Sequence, residues 1–316
     1  MGSTSATAQS YNDLNVLGQV MQVGAGRRTP FFQAIGGLNG VKRVPAQQFA
    51  MSAVYSLDAG ANTVIDETAS LTAGTAKFYA KSQEYNAVGI VKKEFASSHL
   101  REANSQQLAN TNAVYSSDAP SVSEFDRAAA NAMSQLVVDW EYISLQATRV
   151  ARSAVDTDVS PGGLLDTSMG AIAKVNASSA ALTKKLIDEL IETIAGYDAP
   201  MENPAIVIPP GYVNDLNDIY GFAEQSREVG GVNLTQIFLP IIGQASVIWT
   251  NQMEANSLLI VDLAYCSPVV LPHKGGQDIL MHEYSDGGSA RKGYIEGFIG
   301  IDFGSRYYHG FIYGLA

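Results

Sequence analysis

Short apolar groups separated by glycines open the chain. Val16 and Leu17, Val20, Met21 and Val23, then Phe31, Phe32 and Ile35 alternate with Gly18, Gly24, Gly26, Gly36, Gly37 and Gly40. Thr29 precedes Pro30, which disfavours helical geometry at that point. Residues 1–48 therefore predict a mostly extended arm. Such a segment cannot bury its own apolar side chains and must lie along another surface, its own chain's or a neighbour's.

From Phe49 the period changes to two: Phe49, Met51, Ala53, Tyr55 and Leu57 alternate with smaller or polar residues. A second strand-like run spans about 76–91, and the segment between, 58–75, is rich in Ala, Gly and Thr. The pattern predicts a long hairpin over 49–91. An isolated two-stranded ribbon is marginal in water, so it is either the edge of a larger sheet or an extension over an adjacent subunit.

After a polar connector at 96–120 the period becomes helical. Ser121 and Glu124 are spaced as a capping box. Phe125, Ala129, Ala132, Leu136, Trp140, Ile143, Ala147, Val150 and Ala154 recur every three or four residues. They predict one helix over about 122–154, roughly 45 Å long at 1.5 Å per residue. Asp126, Arg127, Asn131, Gln135, Asp139, Glu141 and Arg149 fall away from that apolar face.

Pro161, Gly162 and Gly163 mark a turn into a different pattern. A helix is predicted over 183–196, a buried strand over 205–208 stopped by two prolines, a short helix over 212–220 and a polar loop over 227–233. Strands follow at 245–250, 257–262 and 268–271. Short strands alternating with helices predict a compact α/β lobe. The stretch from Gln277 is strand-like and rich in Tyr, Phe and Gly.

Composition narrows the function classes. Only 16% of the 316 residues are charged while 46% are hydrophobic, so much of the surface is expected to be covered by partners. The net charge of −11, with basic residues in scattered pairs, argues against a dedicated nucleic-acid surface. Cys266 is the single cysteine, which excludes an internal disulfide framework. The first residues, small and polar, lack the layout of a signal peptide. No apolar run reaches the roughly 18 residues needed to span a membrane, and no membrane partner is expected.

Candidate chemistry is thin. There is no phosphate-binding loop, and Gly24 and Gly26 lack the third glycine of a dinucleotide fingerprint. His99, His273, His282 and His309 are scattered. Asp156, Asp158 and Ser160 begin like a calcium loop, but Pro161 stands where glycine is required and Thr167 where a bidentate Glu should be. Cys266 sits in an apolar run that predicts an inert thiol, and Glu189 with Glu192 reads as a solvated helix face. The expectation is a structural protein, not an enzyme, with no catalytic, cofactor-binding or metal residues and no cofactor.

The order of arm, hairpin, long helix, compact lobe and returning strands resembles the Hong Kong 97-type major capsid fold of tailed bacteriophages, an α+β fold. Within it the chain is most similar to the capsid family named after phage SU-ten. The resemblance is carried by residues 28–37 (RTPFFQAIGG), 86–91 (NAVGIV) and 135–141 (QLVVDWE). It implies an N-terminal arm at 1–48, an extended loop at 49–91 and a peripheral domain at 92–164 containing the spine helix. An axial domain at 165–275 and peripheral return strands at 276–316 complete the division. It further implies self-assembly into homo-pentamers and homo-hexamers of an icosahedral head enclosing double-stranded DNA, in virions assembled in the host cytoplasm. Scaffolding, portal and decoration proteins are the other expected partners. Because the arm follows Met1 almost at once, scaffolding is expected to be a separate protein or absent. Two alternatives remain: an encapsulin-type compartment shell, which shares the fold, and a soluble α/β hydrolytic enzyme whose carboxylates and histidines converge only in space.

Overall fold

The structure, a computed structural model, describes residues 29–55, 81–100, 124–153, 158–220, 223–229, 232–284 and 288–316. A short helix α1 (Pro30–Ala34) and a 3-10 turn lead into β1 (Lys42–Arg43), β2 (Gln48–Ala50) and β3 (Val54–Tyr55). β4 (Lys81–Ser82), β5 (Tyr85–Ala87) and β6 (Gly89–Ser98) precede the long helix α2 (Glu124–Gln146). Next come β7 (Ala173–Ala180), α3 (Lys184–Ala195), β8 (Pro204–Ile208) and α4 (Val213–Tyr220). β9 (Ala223–Val229), β10 (Val232–Leu239), β11 (Gly243–Trp249), β12 (Ser257–Asp262) and β13 (Ser267–Val270) follow. The chain ends in β14 (Ile279–Tyr284), β15 (Ala290–Asp302) and β16 (Gly310–Leu315).

Two sheets organise these elements. The first is built on β15, which pairs with β6 along one edge and with β14 and β13 along the other, with β1 beyond β13. The second has seven strands in the order β7-β16-β12-β8-β11-β10-β9. Its middle strands β8 and β12 are buried throughout. Alternate residues serve two cores: Ala205, Val207, Leu259 and Val261 face the core shared with α2, while Ile206, Ile208, Leu258 and Ile260 face α3. A sheet covered on both sides needs continuous apolar runs, and that is what these segments carry.

Helix α2 lies on the first sheet through Phe125, Ala129, Ala132, Leu136 and Trp140. Gly293 of β15 stands opposite Phe95 of β6, and a Cβ there would come within 2.6 Å of the Phe95 ring. The missing side chain lets that ring pack 5.1 Å from Phe125 of the helix. Trp140 donates its indole N–H to the Gly300 carbonyl at 2.9 Å.

The structure corrects several sequence expectations. The long helix ends at Gln146, well short of 154, so its 23 residues span about 34 Å. No glycine or proline stops it. Its last carbonyls are taken by another segment, with Gly163 N–H on Ala147 O, Leu164 N–H on Ser144 O and Leu165 N–H on Leu145 O. The capping residues Ser121–Ser123 lie outside the described residues. The arm is not extended over 30–34: α1 forms there, and Phe31, Phe32 and Ile35 bury themselves in their own chain's core. Within 227–233, expected as a polar loop, residues 227–229 and 232–233 lie instead in the antiparallel strands β9 and β10. β7, Ala-rich and weakly patterned, was not expected as a strand. Of the predicted return strands, β14 and β15 join the first sheet, but β16 enters the seven-stranded one. The redirection follows Asp302, where Gly304 adopts φ +67°, open to glycine without strain.

Candidate assembly interface

The candidate chemistry stays dispersed. Among the described residues no cluster of three or more His, Cys, Asp or Glu could hold a metal ion. His99 and His282 are exposed and His273 stacks on Phe298, whereas His309 is buried in the core. His309 Nδ1 accepts from Asp262 N–H, Nε2 faces Phe303 O at 2.7 Å, and burial lowers its pKa to about 4. Cys266 is buried, which pushes its thiol pKa well above the ordinary value. Asp156 lies outside the described residues and Asp158 is exposed; Glu189 and Glu192 form the solvated face expected of them. Among the later aromatics Phe303 and Phe311 are core residues, whereas Tyr294 and Phe298 lie on a sheet face.

Three surface features stand out instead. The first is the root of the hairpin, where β2 pairs with β5 and β3 with β4 as separate two-stranded ladders. Asn86 fixes this root. Fully buried, it donates to the carbonyls of Gly162 and Ile301 and accepts from the N–H groups of Gly162 and Ala87. Glu84 adds an ion pair to Arg306 at 3.2 Å. Residues 56–80, the distal part of the hairpin, lie outside the described residues.

The second is the face of the first sheet turned away from α2. Strand alternation sends Ile295 and Ile299 inward and presents Tyr294, Glu296 and Phe298 outward, beside Ile90, Lys92 and Glu94 of β6. Ile90 is 66% exposed. Lys92 bonds Glu94 at 2.8 Å and lies 4.3 Å from the Tyr294 ring, and the Glu94 contact raises the Lys92 pKa. This is an apolar and aromatic face with paired charges, of the mixed kind found at contacts between proteins.

The third is the turn joining β10 and β11. Phe238 is 75% exposed and Ile241 72%. Ile241 holds φ +71°, a strained value for a β-branched residue, in a turn closed by Ile242 N–H on Pro240 O. Two large apolar side chains, one near the end of β10 and one in the turn itself, are thus presented to solvent.

Sequence reasoning placed Glu141 on the solvent side of the long helix. It is instead fully buried, its carboxylate facing α1 and the end of β11. A usable signal was present: Val138, Glu141 and Leu145 form a second stripe at helical spacing, and all three are buried. That stripe marks a second covered side.

The family profile described as SU10 major capsid protein matches residues 3–316. No curated protein sequence matches the chain. Among solved structures, the fold is shared with the cyanophage A-1(L) capsid at TM-score 0.59 and 11% identity, covering 95% of this chain and 97% of that one. The capsid of the native GTA particle matches at TM-score 0.57 and 13% identity, with both chains covered in full. The holo-SrpI encapsulin complex of Synechococcus elongatus matches at TM-score 0.55 and 10% identity, covering 100% of this chain and 96% of that one. Phage capsid and encapsulin shells share this architecture, so the fold alone does not separate them, but the family match does. A Hong Kong 97-type α+β fold and a profile match over nearly every residue lead to one conclusion: the chain belongs to the SU10 major capsid protein family and is a virion shell protein.

Proposed function

We propose that the chain builds an icosahedral phage head by forming pentamers and hexamers of itself around packaged double-stranded DNA, and that its work is structural, without a catalytic step. The parts of the arm at 1–48 and of the hairpin at 49–91 that are not built into their own chain's core and first sheet overlap adjoining copies. Residues 165–275 surround the five- and six-fold axes, and 92–164 with most of 276–316 form the peripheral wall. Assembly takes place in the host cytoplasm, with scaffolding, portal and decoration proteins as further partners. The observation that carries this reading is the outward face of the first sheet, where Ile90 stays 66% exposed beside the half-buried rings of Tyr294 and Phe298. Large apolar patches on a subunit mark contacts with other chains. Closed shells accumulate stability from many such repeated contacts.

Sedimentation of the purified full chain tests the proposal. Pentamers, hexamers or closed shells are expected, with shells visible by negative-stain microscopy. Compact monomers alone at high concentration would overturn it.

A further inference from the structure

Glu141 is at the junction of three parts of the molecule. It sits in the last third of α2, the long helix. One carboxylate oxygen accepts from Phe32 N–H of α1 at 2.8 Å, and the Phe31 N–H is directed at the same group. These two amides have no other claimant within the short helix, because Pro30 has no N–H and Gln33 donates to Thr29 O. The other oxygen meets the Thr250 hydroxyl at the end of β11, and Thr250 Oγ1 also accepts from Gln252 N–H at 3.1 Å. The root of the arm, the long helix and the seven-stranded sheet thus converge on one carboxyl group. Phe32 stacks 4.9 Å from Trp140, so the same joint carries apolar packing.

No cation answers this carboxylate among the described residues. α1 brings Pro30, Phe31, Phe32 and Gln33; the segment after β11 brings Thr250, Asn251, Gln252 and Met253; none of them ionises. On its own helix the neighbouring titratable groups point elsewhere, Asp139 to Lys93 and Tyr142 to solvent, and Glu254 beyond the turn is exposed.

We propose that Glu141 is a proton-operated latch: carrying a proton, it fastens α1 and the end of β11 to the last third of the long helix, and on losing it the group releases them. The contacts suit both forms, since the hydrogen between Glu141 and Thr250 can be carried by either oxygen and the second carboxyl oxygen still accepts from α1. What changes is the charge. An ionised carboxylate in this position is a buried charge with no counter-ion among the described residues, and opening the joint returns it to water. Burial raises its pKa from 4.5 to about 7, against the lowering effect of the Phe32, Thr250 and Phe31 hydrogen bonds. The closed joint therefore binds the proton more tightly than the open one. Closure is favoured as pH falls from about 7 towards 4.5, and opening as pH rises through 7. Between pH 5 and 8 the closed-to-open ratio falls on the order of fifty-fold.

Hydrogen exchange of the 29–36 segment in the full chain tests this, corrected for the intrinsic pH dependence of exchange. Protection of the Phe31 and Phe32 amides is expected to fall on the order of fifty-fold from pH 5 to 8. Glu141→Gln, which copies the protonated form, should hold that protection constant across the range. Flat protection in the unaltered chain, or an unchanged pH dependence in the Gln variant, would overturn the proposal. Should the Gln variant fail to fold, Thr250→Val decides the matter. It removes a hydrogen bond that favours the ionised form, so the midpoint must move to higher pH, and an unmoved midpoint overturns the latch.

Discussion

A buried histidine and a buried glutamate give this chain two opposed responses to acid. His309 is held neutral, its pKa lowered from 6.5 to about 4 by burial. Its contribution to stability is complete above about pH 6.5 and is lost as pH falls towards 4. Glu141 runs the other way, because its raised pKa makes the folded state gain as pH falls from 7 to 4.5. Over pH 7 to 5 each change amounts to about 2 kcal/mol, and the two nearly cancel. Substituting either residue should uncover the other. Chemical denaturation is expected to show Glu141→Gln losing about 2 kcal/mol more than the unaltered chain on going from pH 7 to 5. His309→Gln should start less stable at pH 7 and narrow its deficit by a similar amount at pH 5. Parallel pH profiles for all three would refute the assignment of these two groups.

At the scale of elements, the long helix is ended by its neighbours rather than by its own sequence. Gly163 is the residue that makes this possible. A Cβ there would lie 2.7 Å from Ile143 O and 2.9 Å from Leu145 O, contacts that backbone atoms cannot relieve cheaply. Gly163→Ala should therefore cost more than about 2 kcal/mol by denaturant unfolding, whereas Gly211→Ala, with open space around it, should cost well under 1 kcal/mol. The same arrangement explains what the sequence concealed. The helix face from Phe125 to Trp140 was legible because its spacing is a local property of the chain. Its end at Gln146 was not, because residues 163–165, distant in sequence, claim its last carbonyls. Strands β8 and β12 declared themselves through unbroken apolar runs, while β7, AKVNASSA, takes strand form because β16 pairs with it. The outward sheet face was equally hidden. Ile90, Tyr294 and Phe298 form a surface only once β6 and β15 are in register, and Glu141 was misplaced for want of knowing that α1 folds back over the helix.

For the molecule as a whole, the hairpin root is built into the body of the subunit. Asn86 and the Glu84–Arg306 pair anchor that root firmly, so a deletion beyond it is expected to leave the fold beneath it in place. Removing residues 58–75 should leave a subunit with unaltered circular dichroism and thermal stability but a strongly reduced yield of shells by sedimentation and microscopy. Unimpaired shells from that deletion would show that the ribbon takes no part in holding neighbouring copies together.

Strand β16 is inserted between β7 and β12, both of which are synthesised long before it. On the ribosome, a nascent chain that has not yet delivered residues 310–315 carries a bare edge on β12 and leaves β7 without its partner strand. Unpaired edges of this kind invite wrong partners. The insertion also works as a timing device: the larger sheet cannot close, and the subunit cannot offer a finished shape to its neighbours, until β16 has been translated.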